Sequence, residues 1–269
     1  MKGWALPGAP GRAPQPCALA LRGAEPDAAR GAADEEVPVS PTVVPRVPLA
    51  GCRLSDLFAE AYRLHLLRGL EELLAQCGFA RIAGVDEVGR GSLAGPVVAA
   101  AVIVDPCRLI PGVDDSKCLT APERERLAAA IRATALGVAV AQVSPDVIDR
   151  INILEATRLA MRGALAILHP QPDCALVDAV GLGGGRFPCL PVVRGDAISY
   201  AVACASIVAK VERDQMMVEL GYLYPQYGFA AHKGYSVPEH LRALEVYGPC
   251  PIHRLSFRKV LPRVEEGRR

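Results

Sequence analysis

Residues 82–104 read Ile-Ala-Gly-Val-Asp-Glu-Val-Gly-Arg-Gly-Ser-Leu-Ala-Gly-Pro-Val-Val-Ala-Ala-Ala-Val-Ile-Val. Two apolar runs flank a glycine-rich turn, the pattern of a buried strand pair. The strands are expected over Arg81 to Val85 and Pro96 to Val104, joined as a hairpin-like pair. Asp86 and Glu87 stand where the first strand is expected to end. A desolvated carboxylate is costly unless it is paired. Two adjacent ones therefore call for a cation, a divalent metal first of all. In a regular strand neighbouring side chains point to opposite faces, so one shared site requires the strand to end or kink there, or one residue to act through its carbonyl or a water.

Working outward, Gly89-Arg90-Gly91 offers backbone N–H groups that no side chain shields at the two glycines, as suits close approach to a ligand. A loop carries Asp114-Asp115-Ser116-Lys117, and Thr120-Ala-Pro-Glu123 reads as a capping box opening a helix that continues to Ala135. A third strand is expected over Gly137 to Val143 and a helix over Ile153 to Leu168. Cys174 to Asp178 is a short apolar strand ending in a carboxylate that faces a glycine-rich loop, a common active-site placement in open α/β sheets. Pro191 to Asp196 repeats the theme of an apolar segment, a glycine and an acid. A long helix follows from Ala201 to about Leu220, with Lys210 and Arg213 three apart and able to share one face, or to pair with Asp214. Upstream, the apolar spacing of Leu57, Ala61, Leu64, Leu67, Leu70 and Leu74 predicts one helix over Leu54 to Gln76.

The 269 residues suit one large domain with appendages: residues 1–50 as a Pro/Ala-rich disordered extension, 51–79 as a leading helix, 80–220 as the catalytic domain and 221–269 as a helical lobe. The first 23 residues carry basic and no acidic side chains, in the manner of an organelle transit peptide, yet a simple tail is the plainer reading. A net charge of +1 does not advertise a nucleic-acid binder, so any such surface is local; from Phe229 onward basic residues outnumber acidic ones about two to one. Nine cysteines without a Cys-x-x-Cys pair argue against a zinc site or disulfide framework and suit a reducing cytosol. No segment is long and apolar enough for a membrane span. The five histidines show no metal-ligand spacing and are read as structural or surface residues.

Gly84, Asp86, Glu87, Gly89, Arg90, Gly91, Gly95 and Pro96 match in order and spacing a Gly-x-Asp-Glu-x-Gly-Arg-Gly-x-x-x-Gly-Pro signature, and in this the chain resembles ribonuclease HII. The likeness extends over residues 80–258 through Asp115-Ser116-Lys117, Ala205-Ser-Ile-Val-Ala-Lys210-Val-Glu-Arg213-Asp214, Lys233-Gly234-Tyr235 and His253-Arg254-Leu-Ser256. It implies an α/β fold: a ribonuclease H-like mixed sheet flanked by helices, with a small helical C-terminal lobe. It implies endonucleolytic cleavage of the RNA strand of RNA–DNA hybrids, and cutting 5′ to single ribonucleotides in duplex DNA. Asp86, Glu87, Asp178 and Asp196 are then the catalytic metal ligands. Four converging carboxylates repel one another, and hard divalent cations, Mg²⁺ or Mn²⁺, relieve that with oxygen ligands. Gly89, Arg90 and Gly91 are implied to sense the ribose 2′-hydroxyl, Tyr235 to press on the sugar, and Lys117 and Lys210 to meet the substrate backbone. A cytoplasmic monomer is expected. Two rivals are another metal nuclease on the same fold, which the Gly-Arg-Gly turn and Tyr235 oppose, and a non-catalytic hybrid-binding protein, which would favour basic residues over the four acids.

Overall fold

The computed structural model describes residues 53–261; the extension expected over residues 1–50 lies outside the described residues. In chain order the elements are α1 (Leu54–Leu67), α2 (Gly69–Gln76), β1 (Ile82–Val88), β2 (Val97–Ile103), α3 (Ala121–Thr134), β3 (Gly137–Val143), α4 (Pro145–Ile151), α5 (Ile153–Ile167), β4 (Cys174–Asp178), β5 (Cys189–Val192), α6 (Gly195–Ile198) and α7 (Tyr200–Leu223). A 3₁₀ turn (Pro225–Tyr227), α8 (Phe229–His232) and α9 (Pro238–Tyr247) complete the chain's described part. The expected helix over 54–76 is two helices, broken at Arg68, because an arginine–glycine step leaves the last turn of α1 free to close at Arg68 before α2 begins. The capping box at Thr120 and Glu123 is present, and α4, not foreseen, starts at the Ser144–Pro145 step with proline in its first turn.

The five strands form one mixed sheet in the order β3-β2-β1-β4-β5. β1, β2 and β3 pair antiparallel, whereas β4 runs parallel to β1 and β5 parallel to β4. Period-two alternation splits the sheet between two helical layers. Ala83, Val85, Val97, Ala99, Ala101, Ala175 and Val177 pack with α5. Ala100 and Val102 face α3 and α7 on the other side.

Sheet and helix approach closely at Gly84. A Cβ there would lie 2.0 Å from the backbone carbonyl carbon of Ala201. Glycine on β1 and alanine at the start of α7 thus let strand and helix meet backbone to backbone. This sets α7, and Ser206 on it, directly above the C-terminal end of β1. The segment after α7 forms a separate apolar cluster of Tyr227, Phe229, Ala243 and Leu244 around Leu93, Ala94 and Met217.

Candidate active site

Asp86 and Asp178 lie at neighbouring positions on the parallel pair, one residue past the last register match of Val85 with Val177. Both have the parity of Ile82, Leu176 and Cys174, which pack beside Val202 of α7, so both point to the α7 face. Glu87 has the opposite parity. β1 neither ends nor kinks at Asp86, since Asp86 and Glu87 still pair with Ala100 and Ala99 of β2. The sharing arises differently: register with β4 stops at Val85, so past that point the β4 side of β1 is open. Asp86 Oδ1 curls along this edge and accepts the N–H of Glu87 at 2.7 Å. One carboxylate oxygen from each of Asp86, Glu87 and Asp178 then lies within 4.8 Å of the others.

Burial raises all three carboxyls above their ordinary values. Asp86 rises most, through desolvation and then the charge of Glu87, with the nearby Ser206 hydroxyl opposing. Desolvation also lifts Glu87, against the pull of Arg90, whose Nη1 donates to Glu87 Oε1 at 3.2 Å. Asp178 is raised by desolvation against the N–H of Gly195, which donates to its Oδ1 at 2.7 Å. Glu87 Oε2 is buried with no hydrogen-bond partner. Neutral carboxylic acids would have donors to place here; an orphaned oxygen inside a three-acid cluster fits a hard divalent cation instead.

Asp196 is close but stands apart. It sits in α6 rather than at a strand end, and its Oδ2 accepts Lys117 Nζ at 2.7 Å. The structure therefore brings three of the four expected acids together and holds the fourth on a lysine. That bond, chiefly, raises the Lys117 ammonium above its ordinary value. A cleft of about 390 Å³ is lined by Asp86, Glu87, Asp178, Ser116, Lys117, Ser206, Lys210 and Tyr235. Ser116 and Ser206 share a buried 2.8 Å hydrogen bond that ties the Asp115-Ser116-Lys117 loop to α7. Gly89 has φ of +95°, a left-handed turn, and Arg90 beside it is 43% exposed in its side chain.

Lys210 and Arg213 do not share a face. Lys210 reaches Asp214 at 2.7 Å and borders the cleft. Arg213 is fully buried, donating from Nε to Pro96 O at 3.0 Å and from Nη2 to Ala94 O and Nη1 to Lys233 O, each at 3.1 Å. Arg254, equally buried, donates to Gly95 O from Nε and Nη2 and to Arg90 O from Nη1. These two guanidiniums fix the loop from Arg90 to Pro96 from beneath, and the Arg213 guanidinium lies 5.6 Å from the Tyr235 ring centre. The sequence reading gave Arg213 a face shared with Lys210 or a pairing with Asp214 and named Arg254 only within the likeness, so this role of both was missed. The nearest signal was the run of carbonyl-presenting Gly and Pro at 89–96, which needs donors from elsewhere.

A mixed sheet of ribonuclease H type with clustered acids at the C-terminal ends of adjoining strands, open to a cleft rimmed by lysines and a tyrosine, defines a divalent-metal-dependent nuclease. The family model for ribonuclease HII matches residues 83–260. Among similar proteins, ribonuclease HII of Geotalea daltonii is 49% identical over 210 residues, 78% of this chain and 96% of that protein. Ribonuclease HII of Ruminiclostridium cellulolyticum is 48% identical over 200 residues, covering 74% and 78% of the two chains. Among solved structures, ribonuclease H2 of Pyrococcus horikoshii superposes with a TM-score of 0.59 at 29% identity, over 67% of this chain and 95% of that one. A PCNA:RNase HII complex from Archaeoglobus fulgidus matches with a TM-score of 0.53 at 31% identity, over 62% and 86%. The chain belongs to the ribonuclease HII family, whose members are endonucleases that hydrolyse RNA in RNA–DNA hybrids.

Proposed function

We propose that this enzyme also cuts 5′ to a single ribonucleotide embedded in duplex DNA, leaving a 3′-hydroxyl and a 5′-phosphate. The observation that carries the reading is one cleft with three carboxylates on its floor and Lys117, Lys210 and Tyr235 around them. Two divalent cations, Mg²⁺ or Mn²⁺, held by Asp86, Glu87, Asp178 and Asp196, would supply water activation and stabilisation of the leaving oxygen when bound. Asp86, whose carboxyl burial raises most, gains most from such a partner. Asp196, which accepts Lys117 Nζ here, would be the fourth residue to hold metal, and Lys117 would then be available to a substrate phosphate. Gly89, Arg90 and Gly91 meet the ribose 2′-hydroxyl at the RNA–DNA junction. Tyr235 stacks on the sugar next to it, and Lys210 faces the backbone. All these groups come from one chain, so a monomer suffices, and the cytoplasm is where its substrate lies.

The test is cleavage of an end-labelled duplex containing one ribonucleotide, in Mg²⁺, in Mn²⁺ and in chelator, beside an all-DNA duplex and an Asp86→Asn protein. A metal-dependent cut on the 5′ side of the ribonucleotide, missing from both controls, supports the reading. Equal cutting of the all-DNA duplex would replace it with a general metal nuclease, and tight binding without cutting with a hybrid-binding protein.

A further inference from the structure

Beneath Tyr235 lies a chain of two buried histidines whose protons are fixed by their partners. The Cys250 backbone N–H donates to His253 Nδ1 at 2.9 Å, and an amide N–H only donates. That nitrogen is therefore bare, and the Cys250 thiol, 3.1 Å away and kept protonated by burial, meets the same lone pair. The neutral ring then carries its proton on Nε2, which faces His240 Nε2 at 3.0 Å. His240 must accept there, so its own proton sits on Nδ1, 2.9 Å from the Tyr235 carbonyl oxygen, to which it donates. The Cys250 carbonyl oxygen also lies 3.3 Å from His253 Nδ1, but the shorter amide contact there and the Tyr235 carbonyl at the other end set the direction of the relay. An extra proton on either ring would set two N–H groups against each other.

The surroundings hold the pair neutral. His240 is 0% and His253 2% exposed. Phe229 stands edge-on to His240 and Tyr227 to His253, while His232 stacks on His240 at 4.6 Å. Burial, then the neighbouring His240, pushes His253 down to about 4, and burial lowers His240 as well.

The relay joins two parts of the cleft. At one end His253 bridges to Ala94, Arg254 N donates to Leu93 O at 2.9 Å, and Gly95 N donates to Ile252 O at 2.9 Å. These residues continue the Gly89-Arg90-Gly91 turn. At the other end is the backbone of Tyr235, whose ring borders the carboxylates. Turn and tyrosine come from distant parts of the sequence; the Leu93 N–H joins them directly through Gly234 O at 2.8 Å, Arg213 donates to both Ala94 O and Lys233 O, and the pair of rings adds a link that ends on the Tyr235 carbonyl itself.

We infer that His240 and His253 are positioning residues for ribonucleotide recognition, their hydrogen-bond relay setting the place of Tyr235 relative to the Gly89-Arg90-Gly91 turn. The inference rests on the proposed contact of that turn and of Tyr235 with the RNA–DNA junction. It assigns the two histidines no contact with substrate or metal. Misplacing Tyr235 by about 1 Å lowers turnover by roughly 10²-fold at most while leaving phosphate-driven binding largely intact.

Asparagine and glutamine separate the two nitrogens of His240. The amide of His240→Asn lies near the Nδ1 position and donates again to the Tyr235 carbonyl, whereas that of His240→Gln reaches the Nε2 position and faces His253 alone. The experiment measures kcat and KM on the single-ribonucleotide duplex in Mg²⁺ for the full chain, His240→Asn, His240→Gln, Tyr235→Ala and the Tyr235→Ala/His240→Gln double variant, with thermal melts of each. The expected result is a kcat loss of roughly 10-fold to 10²-fold for His240→Gln with KM changed little. His240→Asn should recover most of it, and the double variant should be no slower than Tyr235→Ala. Equal rates for the Asn and Gln variants, or losses that multiply in the double variant, would overturn the relay. Wild-type kinetics in Tyr235→Ala would overturn the junction reading and the relay with it, and that arm identifies which has failed. Should His240→Gln not fold, His253→Asn keeps an acceptor for the Cys250 N–H and removes only the donor to His240; its kcat must then fall, and an unchanged kcat overturns the inference.

Discussion

The floor of the cleft and the lobe beneath its rim bury polar groups on opposite terms. On the floor, Asp86, Glu87 and Asp178 are packed within a few ångströms of one another, and Glu87 Oε2 has no partner at all. Where α7 meets the lobe, Arg213 and Arg254 are fully buried without a carboxylate partner, yet their guanidinium nitrogens make six hydrogen bonds to five backbone carbonyls at ordinary distances. His240 and His253 are likewise matched nitrogen by nitrogen. The floor keeps an electrostatic debt that a cation removes. The lobe is neutralised by dipoles already in place and acts as a rigid support. A site that must bind an ion cannot be self-satisfied, and a support that must not move has to be.

The largest effect should come from the floor. Asp86→Asn removes one of the proposed ligands, and losing metal stabilisation worth about 4 kcal/mol in the transition state should slow cleavage by about 10³-fold. The same variant relieves like-charge repulsion among buried carboxyls. In chelator it should melt about 2–4 °C above the wild type, on about 1 kcal/mol for a domain of this size. A dead and less stable variant would mean that the floor is as well satisfied as the lobe.

Two glycines sharpen the contrast. Gly84→Ala drives a Cβ to 2.0 Å from the Ala201 backbone, which should cost about 3 kcal/mol or prevent folding, because neither β1 nor α7 can retreat without opening the sheet. Gly91→Ala meets nothing within 4 Å, so its melting temperature should be unchanged while cleavage at a ribonucleotide falls. Denaturation and activity measured together separate the glycine that packs from the glycine proposed to meet substrate.

The lobe answers to geometry rather than charge. Arg254→Lys keeps the cation but loses the fork that serves Gly95 O and Arg90 O together. It should destabilise by about 2 kcal/mol, the cost of leaving a buried carbonyl short of its donor. Urea unfolding with an unchanged slope would measure it, and a neutral result would show that the positive charge alone supports the loop.

How far these terms were legible in sequence depended on whether the physics was local. Apolar runs and turn residues are local, and they placed β3 and β4 and set Asp178 at the tip of β4, whereas Asp86 and Glu87, expected where the first strand ends, lie inside β1. The way Asp86 and Glu87 come to share one site was not legible. It depends on where β4 stops beside β1, a register that alternation within β1 does not contain. Asp196 read like Asp178, as an acid after an apolar run, but the chain turns into α6 before reaching it. The break at Arg68 eluded a helical periodicity that continues through Leu70 and Leu74. Arg213 and the histidine pair were the least legible. The carbonyls that Arg213 meets lie 20 to 119 residues away and the two rings lie 13 apart, and carbonyls carry no sequence signature.

Glu71 tests whether the contrast extends beyond the cleft. This buried acid on α2 accepts the Ser199 hydroxyl at 2.7 Å and the Ala201 N–H at 2.8 Å, at the positive N-terminal end of α7, yet its Oε2 has no partner. Desolvation outweighs those two hydrogen bonds and raises its carboxyl above the ordinary 4.5. A raised acid contributes stability in its neutral form, fully present below its unfolded value and lost as pH rises through its folded one. Glu71→Gln keeps the acceptor for both donors and removes the titration. The variant should therefore gain on the wild type as pH rises above the ordinary 4.5, read as a melting-temperature difference that widens with pH. Acid groups common to both proteins cancel in that difference. A difference that shrank with pH would mean that the helix terminus holds Glu71 ionised, which would place it with the satisfied groups of the lobe and leave the cleft floor as the site where buried charge waits for an ion.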